Sequence, residues 1–156
     1  MDPDSLRDAI ERAQNCYFQL VVVTGKSDTL FNEYMATSDG AVAINLGLDL
    51  SEKLIKVPRQ DRAKVSESLF TDILVSERNT HIFLLNHIEI LFDKTLSIDP
   101  LKLLQKSAKN QTLVVSWPGE KTASSLTYAK LSHPEHRCYN ASDFGEIVFI
   151  EMDEKN

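Results

Sequence analysis

The chain is short of the residues on which several protein classes depend. Cysteine occurs only at Cys16 and Cys138, far apart in the sequence, so a disulfide-stapled fold is excluded. Five glycines and five prolines in 156 residues are too few for a sandwich built from many tight turns. Basic residues are outnumbered 17 to 23, giving a formal net charge of −6. Phosphate-backbone affinity comes from clustered Lys and Arg, so nucleic-acid binding through bulk charge is excluded, although a local basic patch is not. No apolar run approaches the roughly 18 residues that span a bilayer, and no membrane partner is expected. Met1-Asp2-Pro3-Asp4 is acidic and polar, with no basic-then-apolar leader. The expectation is a cytoplasmic protein with both thiols reduced and unpaired.

What is present is an ordinary globular balance, 42% apolar and 26% charged, in a length that fits a single domain over 1–156. Asp2-Pro3 opens a helix that runs through Gln14, with Asp2 capping it and Leu6, Ala9, Ile10 and Ala13 on one face. Apolar runs at 17–24, 41–45, 81–85, 111–116 and 146–150 read as strands. Between them lie helical patterns around Leu30–Met35, at 51–56, at 59–76 with Val65, Leu69, Ile73 and Leu74 inward, and from Asp99-Pro100 to Ala108. Ser27 or Asp28 is the expected cap of the second helix. The segment from Trp117-Pro118-Gly119 to Gly145 reads as a connecting loop.

Strands alternating with helices indicate an α/β fold with a mostly parallel five-stranded sheet and helices on both faces. The first, third and fourth strands, apolar on both faces, belong in its centre. Ligands of such sheets bind beyond the carboxyl ends of the strands.

Four strand-end segments carry candidate chemistry. Gly25-Lys26-Ser27-Asp28-Thr29 follows the first strand, where a phosphate-binding loop belongs. Such a loop, G-x-x-x-x-G-K-[ST], wraps phosphates in backbone N–H groups, and its hydroxyl holds Mg²⁺. Gly25-Lys26-Ser27 matches its second half, but Leu20 stands where the first glycine should be. The loop is either a truncated phosphate cradle or a plain strand-to-helix turn. The third strand leads into Asn86-His87-Ile88-Glu89, the place of a Walker B acid. There Asn86 and His87 replace the acids, and Glu89 is either the water-activating base or a solvated residue. Ser116, ending the fourth strand, is either a γ-phosphate sensor or simply the last residue before a turn.

Lys56, Arg59, Arg62 and Lys64 form the densest basic region. Arg59 and Arg62 are candidates for contact with a partner or a phosphate, beside the reading as a solvated helix. Lys102, Lys106 and Lys109 read as a solvated face. His133, His136 and Cys138 lack an evident fourth ligand, so no zinc site is expected.

Three blocks together resemble one family. They are Asn45-Leu-Gly-Leu-Asp-Leu-Ser51, Phe83-Leu-Leu-Asn-His-Ile-Glu89, and Asp99-Pro-Leu-Lys-Leu-Leu-Gln105 continuing to Trp117-Pro-Gly119. With Leu126-Thr-Tyr128-Ala129 and His133-Pro-Glu-His136-Arg137-Cys-Tyr139, they resemble BrxF, the small P-loop proteins of type 3 BREX bacteriophage-exclusion systems. The resemblance implies a three-layer P-loop NTPase core of the AAA+-like, ASCE type; with the fifth strand so near residue 156, no C-terminal lid is expected. It implies ATP with Mg²⁺ as the ligand, homo-oligomerisation, and the other proteins of the system as partners, with DNA met within the complex. The chain departs from the family at the shortened Gly25–Thr29 loop and at Asn86, where the family has Asp. An assembly subunit with weak or no ATP hydrolysis is the leading expectation. An active ATPase using Lys26, Ser27, Thr29 and Glu89, and a DNA-contacting module, are the alternatives.

Overall fold

The computed structural model describes residues 3–38, 40–76, 80–128 and 135–152. The elements are α1 (Pro3–Gln14), β1 (Leu20–Thr24), α2 (Asp28–Thr37), β2 (Ala41–Asn45), α3 (Leu46–Leu54), α4 (Arg62–Val75) and β3 (Ile82–Asn86). They continue with α5 (Pro100–Ser107), β4 (Thr112–Trp117), β5 (Glu120–Lys121), β6 (Ser125–Tyr128), β7 (Arg137–Asn140), α6 (Ala141–Phe144) and β8 (Val148–Glu151). Short 3₁₀ turns occupy Arg59–Asp61, Ile88–Phe92 and Lys94–Leu96.

One five-stranded sheet has the order β2-β3-β4-β1-β8, with every neighbouring pair parallel. The expected central strands are central, and β2 and β8 form the edges. Alternation along each strand feeds two cores. Val21, Val23, Leu84, Val114 and Ile150 meet Leu6, Ile10, Leu30 and Phe31 from α1 and α2. Leu20, Val22, Phe83, Leu85 and Val115 meet Leu50, Phe70, Leu101 and Leu104 from α3, α4 and α5. Burial on both faces explains the unbroken apolar runs.

Four expectations are corrected. Tyr17–Gln19 precede β1: the α1 C-terminus closes through Cys16 N–H to Ala13 C=O, and Tyr17 is left exposed. The helix expected over 51–56 spans Leu46–Leu54, because the Asn45 side chain accepts from Leu48 N–H and starts the helix directly off β2. Ser27 occupies the N-cap position of α2, but its side chain does not cap it. The loop after Trp117 contains an antiparallel sheet, β5-β6-β7, followed by α6. The Asp2 cap, Ala129 and His133 lie outside the described residues.

The added sheet seals the α5 side of the core. Trp117 is buried and donates its Nε1–H to Thr127 C=O at 2.9 Å. A Cβ on Gly119 would collide with the same carbonyl, so only glycine fits this crossing. Among the described residues no helix is long and apolar enough to cross a membrane.

Candidate functional site at the carboxyl edge of the sheet

The strand registers align Ile44, Leu85, Val115 and Val22 in one row across β2, β3, β4 and β1. One residue further on, at the carboxyl edge, stand Asn45, Asn86, Ser116 and Val23. Neighbouring strands lie about 4.8 Å apart. Asn86 and Ser116 are therefore side by side, and Ser116 is next to β1.

Only Gly25, Lys26 and Ser27 join β1 to α2. Gly25 has φ +87°, and a Cβ there would collide with the carbonyl of Met152. Met152 follows β8 and donates its N–H to Thr24 C=O at 2.8 Å, so the C-terminal segment walls the β8 side of this loop. Lys26, Asp28 and Thr29 are exposed. Ser27 is buried, and its Oγ hydrogen-bonds Ser116 Oγ at 2.7 Å. The structure thus joins the phosphate-loop-like serine to the sensor-like serine. Asp28 sits in the first turn of α2, where its carboxylate offsets the positive end of the helix dipole.

His87 has a left-handed backbone (φ 57°) that turns the chain off β3 into the Ile88–Phe92 helix. Its carbonyl lies where a Cβ on Gly47 would press, so His87 packs against the start of α3. Ile88, Leu91 and Phe92 are buried and Glu89 is exposed. Glu89 is within electrostatic reach of Tyr128, whose phenol is raised above its ordinary value by burial first, then by Glu135 and Glu89. Tyr128 stacks on Phe92 with ring centroids 3.9 Å apart, and Phe92 meets Trp117 edge-on. Glu89 stands on the β3 side of the sheet, and β4 separates β3 from β1.

Arg59 is exposed, whereas Arg62 is half-buried and donates Nε–H to Val57 C=O at 2.9 Å, closing the turn before α4. Lys106 lies 3.8 Å from Glu67, and Lys109 sits over the Tyr17 ring. Cys138 is exposed, and both cysteines are free. Among the described residues no group of three or more His, Cys, Asp or Glu is placed to hold a metal.

A network that the sequence did not announce joins the two blocks around Asp99 and Tyr139. Asp99 caps α5 and also accepts from the Tyr139 hydroxyl at 2.7 Å. That hydroxyl in turn accepts from Leu101 N–H, and Arg137 donates to Ile98 C=O. Burial, then the hydrogen bond to Asp99, pushes the Tyr139 phenol well above its ordinary value. Gln105 donates to the carbonyls of Asp143 and Phe144, both at 2.9 Å. The available signal was the Asp99-Pro100 cap, but nothing local showed that its carboxylate would reach a tyrosine 40 residues on. No family model, curated protein or solved structure matches the chain.

Proposed function

We propose that the chain is a P-loop-like domain with a degenerate nucleotide site, serving as an assembly subunit of a type 3 BREX phage-defence system. Its assignment to that system rests on the sequence blocks given above. The P-loop-like reading is supported by the strand order. One strand, β4, stands between the strand carrying Gly25-Lys26-Ser27 and the strand ending in Asn86.

The observation that carries the degenerate reading is the Ser27–Ser116 hydrogen bond. Mg²⁺ and a triphosphate would fall to Lys26, Ser27, Asn86 and the N–H groups of 25–29; Lys26 suits the phosphates, but Ser27 and Asn86 do not fit the metal. The Ser27 hydroxyl is buried and engaged by Ser116. Asn86 brings no negative charge to the metal. The three-residue connection is walled on one side by Met152, and Asp28 adds a carboxylate to the first turn of α2 directly after it. Two unit charges of like sign 4 Å apart repel by about 4 kcal/mol at an effective dielectric of 20, which outweighs several ordinary hydrogen bonds. Contact with DNA inside a complex is left to Lys56, Arg59 and Lys64, since Arg62 is already committed to its turn.

Calorimetric titration of the purified chain with ATP, with and without Mg²⁺, tests the site. The expected result is weak or no binding that Mg²⁺ does not strengthen. Strong Mg²⁺-dependent binding would favour the active-ATPase alternative. Co-purification with the other proteins of such a system tests the assembly role, and its absence would remove that part of the reading.

A further inference from the structure

β8 forms one edge of the five-stranded sheet, and among the described residues the strand beside it is β1. Met152, next along the chain, donates its N–H to Thr24 C=O of β1. Backbone groups alternate sides along a strand. Ile150 therefore also turns its N–H and C=O toward β1, and Phe149 and Glu151 turn theirs out of the sheet. Side chains alternate between the faces as well. Ile150 enters the core under α1, whereas the Phe149 ring lies on the other face against Phe144. Glu151 shares the face of Phe149, and the Lys121 ammonium stands 4.8 Å from the centre of that ring.

On the α1 side, the step from the helix down to this edge is a groove of about 690 Å³. Its wall is the α1 stripe of Ser5, Asp8, Arg12 and Asn15, with Glu11 beside it. Its floor is the edge strand at Phe149, Ile150 and Glu151. The order of the stripe decides what fits it. Asp8 and Arg12 stand equally far on either side of Ile10, and so do Ser5 and Asn15. Laid antiparallel on a copy of itself about Ile10, the stripe sets each Asp8 against Arg12 of the other copy and each Ser5 against Asn15. The strand is self-complementary about Ile150 in the same way: Phe149 of each copy exchanges N–H and C=O with Glu151 of the other. The lining of the groove is centred on Ile10 and on Ile150, so one two-fold axis serves both helix and strand.

The far face agrees with this register. Glu151 comes to lie opposite Phe149 of the other copy, and so beside the Lys121 ammonium over that ring. A charge in an edge strand ordinarily repels an incoming strand, but here it meets its opposite. Of the charges lining the groove, Glu11 alone lacks an opposite partner: one position past the centre, it faces Glu11 of the other copy.

We propose that two copies of the chain join through β8, antiparallel about a two-fold axis at Ile150, into one continuous sheet. The α1 helices flank the axis on one face, and the Asp8–Arg12 pairs cross the merged grooves. The pairing stands apart from the nucleotide site, and of the assembly role it asks only that copies of the chain meet.

Sedimentation of the full chain over a range of concentrations tests it, and should show a species of twice the chain's mass. Asp8→Arg and, separately, Arg12→Asp put like charges opposite each other, and each should weaken the dimer about tenfold or more. Carrying both substitutions in one chain restores opposite pairs and should return most of the loss. Glu151→Pro removes an N–H that points out of the sheet, so it should abolish the dimer while the β1 pairing stays intact. Glu11→Gln should tighten it. Asp8, Arg12 and Glu151 are exposed, and circular dichroism should show these variants folded. A monomer at every concentration would overturn the proposal. So would a dimer indifferent to Asp8→Arg and Glu151→Pro, or a double charge swap that dissociates no less than either single variant. ATP titration reads none of these outcomes, so the interface and the degenerate site can fail separately.

Discussion

Gly25 is confined to glycine for two separate reasons, a left-handed backbone and the carbonyl of Met152 in the space of its missing side chain. Gly25→Ala should cost more than about 2 kcal/mol, since the strain of a positive φ adds to a clash with backbone. Urea denaturation measures it, and an unchanged midpoint would show that the Met152 segment moves aside at no cost. The Ser27–Ser116 pair allows a sharper test. Either serine replaced by alanine leaves the other hydroxyl without its partner, at about 1–2 kcal/mol, while the double variant should cost less than the sum of the two. Strict additivity would mean that the hydrogen bond contributes nothing. The sequence picked out both serines as phosphate-site candidates. It could not show that they meet, because the contact depends on β1 and β4 being neighbours, a property of strand order.

At the scale of elements, the parallel strands were legible because burial on both faces leaves an unbroken apolar signature, as Val21, Val22 and Val23 show by facing opposite cores in turn. The β5-β6-β7 sheet was not. Its strands are two to four residues long, and Ser125-Leu-Thr-Tyr128 and Arg137-Cys-Tyr-Asn140 are too short and polar to display a period. The start of α3 was missed because Asn45 both ends β2 and caps the helix. Two caps can be ranked. Asn45→Ala removes one side-chain hydrogen bond to the backbone and should cost about 1 kcal/mol. Asp99→Ala removes the α5 cap together with the acceptor of the Tyr139 hydroxyl, and should cost about 2–3 kcal/mol. Chemical denaturation of the two variants side by side would contradict this ranking if Asn45→Ala proved the more harmful.

For the molecule as a whole, Tyr139 ties the small sheet to α5, and its ionisation links folding to alkaline pH. The folded-state phenol lies above its ordinary value of 10.0, so the neutral form is favoured in the folded protein. The stability this supplies is complete below about pH 10 and declines as pH rises beyond it toward the raised folded value. Tyr139→Phe should flatten that alkaline decline while lowering stability near neutrality, as followed by thermal melting across pH. An equally steep alkaline decline in the variant would assign it to other groups.

The three layers were readable from patterning because each helix has one apolar face and each inner strand two. The condition of the site was readable only in part. The shortened loop and Asn86 are visible in the sequence, but the wall formed by Met152 and the engagement of Ser27 require the C-terminal segment and β4 in place. The central claim, a P-loop-like domain whose site has lost its catalytic parts, is tested most directly by steady-state phosphate release from ATP, comparing the wild type with Lys26→Ala. The account predicts equal, background-level rates for the two proteins. Robust release by the wild type that disappears in Lys26→Ala would contradict it.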